Sequence, residues 1–252
     1  MRSISSSSSG LPLRVWCAHY GVGEHVLPVR VGKRAATLSP AVGDCRVRLD
    51  AGWAGLLAFT SRLRVDSDVW VLPGAGVNVF KLQAFVDQAI DPDEGAKRPA
   101  LSALSALRVP EALLDDGHAF EHWYLSRILT GSERCQAFVN WLRHSESYQL
   151  IRFLLQEGAT GEKLSGLAQR YGVSVSHFRR LCHQALGGAA KPELREWRTA
   201  KALLALSPGR SSLTEIAMSY GFASSSHFSK EIRELVGVAP SRLTDITRLS
   251  SR

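Results

Sequence analysis

Two stripes of hydrogen-bonding residues lie fifty positions apart near the end of this 252-residue chain. The first is Ser176, Arg179, Arg180 and His183; the second is Ser226, Ser229, Lys230 and Arg233. Residues three or four apart share one side of an α-helix, so each set is a helical face. Guanidinium groups held on such a face can fork onto phosphate oxygens or onto the acceptor edge of guanine. Serine and lysine make less exclusive contacts to bases or phosphates. The chemistry these residue types offer is recognition of a polyanion.

The distribution of charge agrees. Residues 1–150 carry 16 Lys+Arg against 15 Asp+Glu and residues 151–252 carry 15 against 8, so +7 of the net +8 belongs to the stretch that holds the stripes. Such an excess favours nucleic acid or an anionic membrane surface. The apolar runs are too short to cross a bilayer, and the start, MRSISSSSSG, lacks the apolar stretch of a secretory signal; no membrane partner is expected. Cys17, Cys45, Cys135 and Cys182 stand singly, without a CxxC pair, as in a reduced, cytoplasmic protein.

Enzyme chemistry finds little to work with. His118 and His122 flank Glu121 on what reads as a helix, but the order is HAFEH rather than HExxH and no third ligand is indicated. GAGVNVF, from Gly74, has neither the third glycine nor the βαβ context of a dinucleotide site and reads as a turn. A GxSxG elbow is absent from the sequence. No catalytic residue, metal or cofactor is expected.

Each stripe sits in the same local plan. Leu167-Ala168 and Tyr171-Gly172 match Ile216-Ala217 and Tyr220-Gly221 at an offset of 49, whereas His177-Phe178 through Gly187 match His227-Phe228 through Gly237 at an offset of 50. One residue has been added in the second turn. Gly172 and Gly221 suit a positive φ that stops a short helix, and Ser174 and Ser224 or Ser225 can cap the helix that follows. Phe178, Leu181 and Ala185, and then Phe228, Ile232 and Leu235, share the face opposite the stripe and are expected to be buried. That is the layout of a helix-turn-helix, whose second helix enters the DNA major groove. Between the copies, Pro192 opens a helix expected to run to Leu206, with Leu194, Trp197, Ala200 and Leu204 on one face.

At these residues the chain resembles the AraC/XylS family of transcription regulators, whose DNA-binding domain joins two helix-turn-helix units by a helix. IAMSYGFASSSHFSKEIRELVGVAPSRL meets the second-unit signature, with Ile232 where the pattern usually has Phe, and the resemblance covers about Leu164 to Arg248. SESYQLIRFLL, YGVSVSHFRRLC and ALGGAAKPELREWRTAKALL are similar to members that activate type III secretion and virulence genes. The resemblance implies a bacterial cytoplasmic activator whose partners are promoter duplex DNA, RNA polymerase and a tetratricopeptide-type secretion chaperone acting as coactivator. It leaves a homodimer open. Carried over residue by residue, the base-facing positions are Ser176, Arg179 and Arg180 in the first unit and Ser225, Ser226, His227, Ser229 and Lys230 in the second. Glu231 and the serines point to phosphate anchoring rather than base choice in the second unit.

The expected fold class is therefore mixed. Residues 1–12 read as a disordered tail and residues 13–157 as a regulatory or partner-binding region of strands followed by helices. Residues 158–252 read as an all-α DNA-binding domain with units at about 164–187 and 213–237. VLPVRVG, CRVRLDAG, AGLLAFTSRLRV and DVWVLPG read as strands. VFKLQAFVDQAI, LSALSALRVPEALLDDG and the segments after it read as helices. An alternative for the first region is a cupin-like barrel that senses a small molecule in a pocket lined by Trp16, Trp53 and Trp70.

Overall fold

The computed structural model describes residues 10–19, 23–74, 76–90, 102–158, 161–206 and 212–240. Residues 1–9 of the expected tail, and the end of the chain from 241, lie outside the described residues. Leu11 and Pro12 do not belong to a tail: they form β1 (Leu11–Pro12) and pair with Val71 and Trp70. The chain divides into two units, Met1–Gln149 and Leu150–Arg252.

In the first unit, α1 (Leu13–His19) is followed by β2 (His25–Val31), β3 (Ala36–Pro40), β4 (Val47–Leu49), β5 (Ala54–Phe59), β6 (Leu63–Val65) and β7 (Val69–Val71). Then come α2 (Val79–Ile90), β8 (Leu104–Arg108), α3 (Glu111–Leu114), α4 (Gly117–Leu129) and α5 (Glu133–His144). One antiparallel sheet has the order β1-β7-β2-β5-β8 and a second has β4-β3-β6. Every residue of β5 is buried, and the two-residue side-chain period of a strand sorts them into two cores. Ala54, Leu56 and Ala58 pack with Phe120, Tyr124, Phe138 and Leu142 of the helices, whereas Leu57 and Phe59 pack with Leu13, Leu38 and Leu49. Gly55 permits the close pairing with β8, since a Cβ there would stand 2.1 Å from the Leu107 carbonyl oxygen.

The four stretches read as strands from sequence do carry strands, but LSALSALRVPEALLDDG is not one helix. It is β8 followed by the short α3, because Leu104 to Arg108 pair with Phe59 to Gly55 and that long-range ladder overrides the helix propensity of Leu and Ala. Trp53 and Trp16 are packing residues: Trp53 is buried, and Trp16 meets the rings of His25 and Phe59 edge-on at 4.8 and 5.9 Å. Trp70 sits 36% exposed on β7.

A polar hub ties the helices of this unit together. Asp87 on α2 accepts from Arg143 at 2.6 and 2.9 Å, from the Tyr148 hydroxyl at 2.6 Å and from Gln83 at 2.9 Å, and the fully buried Tyr124 donates to Gln83 at 2.7 Å. Burial alone would raise the Asp87 carboxyl; the hydrogen bonds from Arg143 and Tyr148, and the Arg143 charge, outweigh it and hold the pKa below the usual aspartate value. A carboxyl depressed in the folded state stabilises fully above its unfolded pKa of about 3.9, and that contribution is lost as pH falls through the lower folded value. Asp87→Asn is accordingly expected to lower the urea midpoint at neutral pH, and by progressively less as pH falls below the ordinary aspartate pKa. Equal losses at both ends of a pH series of urea titrations would count against the ionic hub.

The second unit is helical throughout its described residues. It contains most of α6 (Glu146–Glu157), then α7 (Leu164–Tyr171), α8 (Val175–Leu186), α9 (Ala190–Leu204), α10 (Leu213–Ser219) and α11 (Ser225–Val236). The division falls before Leu150 rather than at 157/158 because Phe153 meets the rings of Tyr171 and Phe178 at 5.0 and 6.3 Å, and the Lys201 ammonium donates to the Leu155 carbonyl. The connecting helix α9 begins two residues before Pro192 and ends at Leu204, so its fifteen residues span roughly 22 Å. Of the residues at helical spacing on it, Trp197 is buried whereas Leu204 is 83% exposed.

Candidate nucleic-acid interface

The two helical pairs, α7–α8 and α10–α11, are built by matching bonds. After α7, Gly172 N–H donates to Gln169 O and Val173 N–H to Ala168 O, both at 3.1 Å; after α10, Gly221 donates to Met218 O at 3.1 Å and Phe222 to Ala217 O at 2.9 Å. Gly172 and Gly221 have φ of 83° and 70°, a region that only glycine enters without strain. Ser174 and Ser224 then cap α8 and α11, accepting from His177 N–H at 3.3 Å and His227 N–H at 3.1 Å. The first set of bonds matches at an offset of 49 and the second at 50, so the added residue is Ala223, between the glycine stop and the serine cap. Of the two candidate caps in the second copy, Ser224 is the one used.

Below the outer faces lie small aromatic cores. Phe178, Leu181 and Ala185 are buried, with Phe178 against Tyr171 at 5.6 Å. In the second pair Phe228 is fully buried 4.7 Å from Phe222, with Ile216, Ala217, Ile232 and Ala202 around it. Leu235, expected on that buried face, is 39% exposed; Glu231 is buried in its stead, at 7%. The reason is an ion-pair clamp. Arg195 of α9 donates its Nε to Glu231 and a terminal nitrogen to Glu234, and His227 Nε2 lies 3.2 Å from the other Glu231 oxygen. Nearby, the Arg198 guanidinium of α9 covers the Phe222 ring at 4.6 Å, a cation–π contact that fixes α9 on the second pair.

The structure leaves the expected contact residues in two groups. On α8, Ser176, Arg179 and Arg180 are exposed on one side, and neither arginine forms an ion pair among the described residues. On α11, Ser225, Ser226, Ser229 and Lys230 line a single surface depression of about 600 Å³ together with Arg233 and Glu234. Within it the Ser229 hydroxyl donates back to Ser225 O at 2.8 Å, and the Lys230 ammonium stands 3.9 Å from Glu234. His227 differs from the others, since it is engaged with Glu231. The first face offers unengaged guanidinium groups, whereas the second offers hydroxyls and cations partly balanced by carboxylates. Arg195, which holds α11 to α9, is invisible to sequence spacing: it stands thirty-six residues from Glu231, beyond any helical spacing rule.

Elsewhere, His118 is exposed and approaches Glu121 at 4.0 Å, and no group of three or more His, Cys, Asp or Glu side chains poised for a metal occurs among the described residues. The four cysteines are free. No helix among the described residues is long and apolar enough to cross a membrane.

Comparison with known proteins bears on the same residues. A helix-turn-helix domain family model matches residues 167–245. The invasion protein InvF of Salmonella typhimurium is 42% identical over 174 residues, covering 68% of this chain and 79% of that protein. The transcriptional regulator MxiE of Shigella flexneri is 39% identical over 124 residues, 48% of this chain and 59% of that protein. Among solved structures, the DNA-binding domain of AdpA in complex with a target DNA is 22% identical, with a TM-score of 0.37, over 41% of this chain and 94% of that one; a likeness at this level does not bear on how the helices are arranged.

Proposed function

Because the chain belongs to the AraC/XylS family of transcription regulators, we propose that it is a sequence-specific activator of type III secretion or virulence genes that binds promoter DNA through two helix-turn-helix units. The observation that carries this reading is the pair of matched helical hairpins, each presenting its second helix outward, in the half of the chain that holds the charge excess. In this reading α8 and α11 enter successive major grooves, about 34 Å apart, with α9 as the connector. Ser176, Arg179 and Arg180 read bases, and Ser225, Ser226, Ser229 and Lys230 mainly hold the backbone. His227 serves the second helix by bracing Glu231. The first unit is the partner-binding region, and a secretion chaperone acting as coactivator is its proposed partner, with RNA polymerase the target of activation.

Two measurements on the full chain test this. DNA affinity at the promoter of a secretion gene is expected to fall steeply between 50 and 200 mM salt, by roughly a thousandfold for about six phosphate contacts, because neutralised phosphates release counterions. A flat response would sink the DNA reading. A promoter reporter is expected to respond only when the secretion chaperone is co-expressed. Full activation without it would remove the coactivator while leaving DNA binding in place.

A further inference from the structure

A cavity of about 660 Å³ opens inside the second unit, walled by Gly158, Gly161 to Lys163, the middle of α8 and the first turns of α9. Its size lies in the usual range for small-ligand sites. The floor is apolar, made by Leu164, Cys182, Ala190 and Leu194. Leu194 is seated against Gly158, where a Cβ would come within 2.5 Å of it. Burial pushes the Cys182 thiol up to about 11, so that residue is wall and not nucleophile. Around the mouth stand Lys163, Arg179, His183 and Lys191, all exposed and none in an ion pair among the described residues. The carboxylate beside them, Glu162, is already held by Arg170. Arg198 also lines the cavity, and its buried Nε has no hydrogen-bond partner among the described residues.

We propose that this cavity binds a small phosphate monoester with an apolar body, and that the bound ligand draws Arg179 away from DNA. Three fixed cations and an imidazole are more than one carboxylate could balance; a phosphate monoester brings nearly two charges and three acceptor oxygens. A DNA phosphate would meet the same cations without needing an apolar floor behind them. The ligand's body covers Leu194 and Cys182, while its phosphate takes the lysines and the Arg179 fork. The consequence for DNA rests on the reading of α8 given above; the binding of the ligand does not.

The test is calorimetry on the full chain with 1-naphthyl phosphate as probe, beside 1-naphthol and inorganic phosphate. The naphthyl phosphate is expected to bind about tenfold tighter than either fragment compound, and Lys191→Glu to weaken it by about tenfold. Leu194→Trp, which fills the floor, should abolish binding; the exposed Lys191 variant keeps the test valid if the tryptophan variant misfolds. Equal binding of inorganic phosphate would show a bare backbone-docking surface, and equal binding of naphthol a mere apolar patch; either overturns the proposal, as does absence of heat. In a second arm, saturating naphthyl phosphate is expected to weaken promoter binding about tenfold in the native chain and little in Arg179→Ala. Unchanged promoter affinity with the ligand bound overturns the role of Arg179. If the unliganded chain does not bind the promoter, the DNA reading fails while the calorimetric result stands.

Discussion

Replacing Arg179 or Arg180 by alanine is expected to cost roughly 1–3 kcal/mol of specific DNA affinity each and to relax base choice at one half of the footprint. Both side chains project from the exposed side of a helix whose other side is anchored by Phe178, Leu181 and Ala185, so truncation removes contact chemistry without removing packing. Neither guanidinium has a carboxylate partner among the described residues, and its charge is available to DNA. On α11 the corresponding cation, Lys230, shares its neighbourhood with Glu234, and Ser229 spends its proton on its own helix. Alanine at Ser226 or Ser229 is therefore expected to reduce affinity less than either arginine change, and evenly across operator sequences. Footprinting and titration of the four variants decide it. Unchanged affinity and protection in both arginine variants would mean that α8 is not the reading helix.

Phe228→Ala is expected to be the most damaging single change in the second unit, at about 3–5 kcal/mol, the usual loss when a fully buried aromatic ring leaves a cavity. Against a typical domain stability of about 5–15 kcal/mol, that is enough to unfold a sizeable fraction of the α10–α11 pair. The ring touches Phe222, which the Arg198 guanidinium also covers, so its loss is expected to loosen α9 as well. Denaturant titration of Phe228→Ala beside Ser226→Ala, which should stay within about 0.5 kcal/mol of the native chain, separates core from surface. Similar midpoints for the two would refute the packing described for this pair.

What could be read in advance followed the range of the interactions involved. The glycine stops, the serine caps and the shifted offset are written within a dozen residues of one another, and each of them stands as expected. Local sequence reads β8 as helix because its partner, β5, lies about fifty residues upstream and nothing local announces the pairing. α1 is hidden in the strand region for a related reason: its buried residues, Leu13 and Cys17, are only two anchors one turn apart, and seven residues are too few for a period to show. Helical spacing alone puts Leu235 in the core, whereas the buried position is that of Glu231. Its burial depends on a guanidinium that spacing along α11 cannot reveal.

Ala223 separates two kinds of instruction. On one side are the bonds that end a helix, on the other those that start the next; the side chains of Arg179, Arg180, Ser229 and Lys230 take no part in either set, and of the outward hydroxyls that of Ser176 lies 3.3 Å from the Ser174 cap. The side chains that make each hairpin fold and those that face outward are nearly disjoint populations. Selection can therefore rewrite the outward set one residue at a time with little penalty in folding, and after a duplication the two copies are free to diverge in what they recognise while remaining alike in how they are built. Their present inequality, arginines on one and hydroxyls on the other, is the kind of divergence such a division of labour permits.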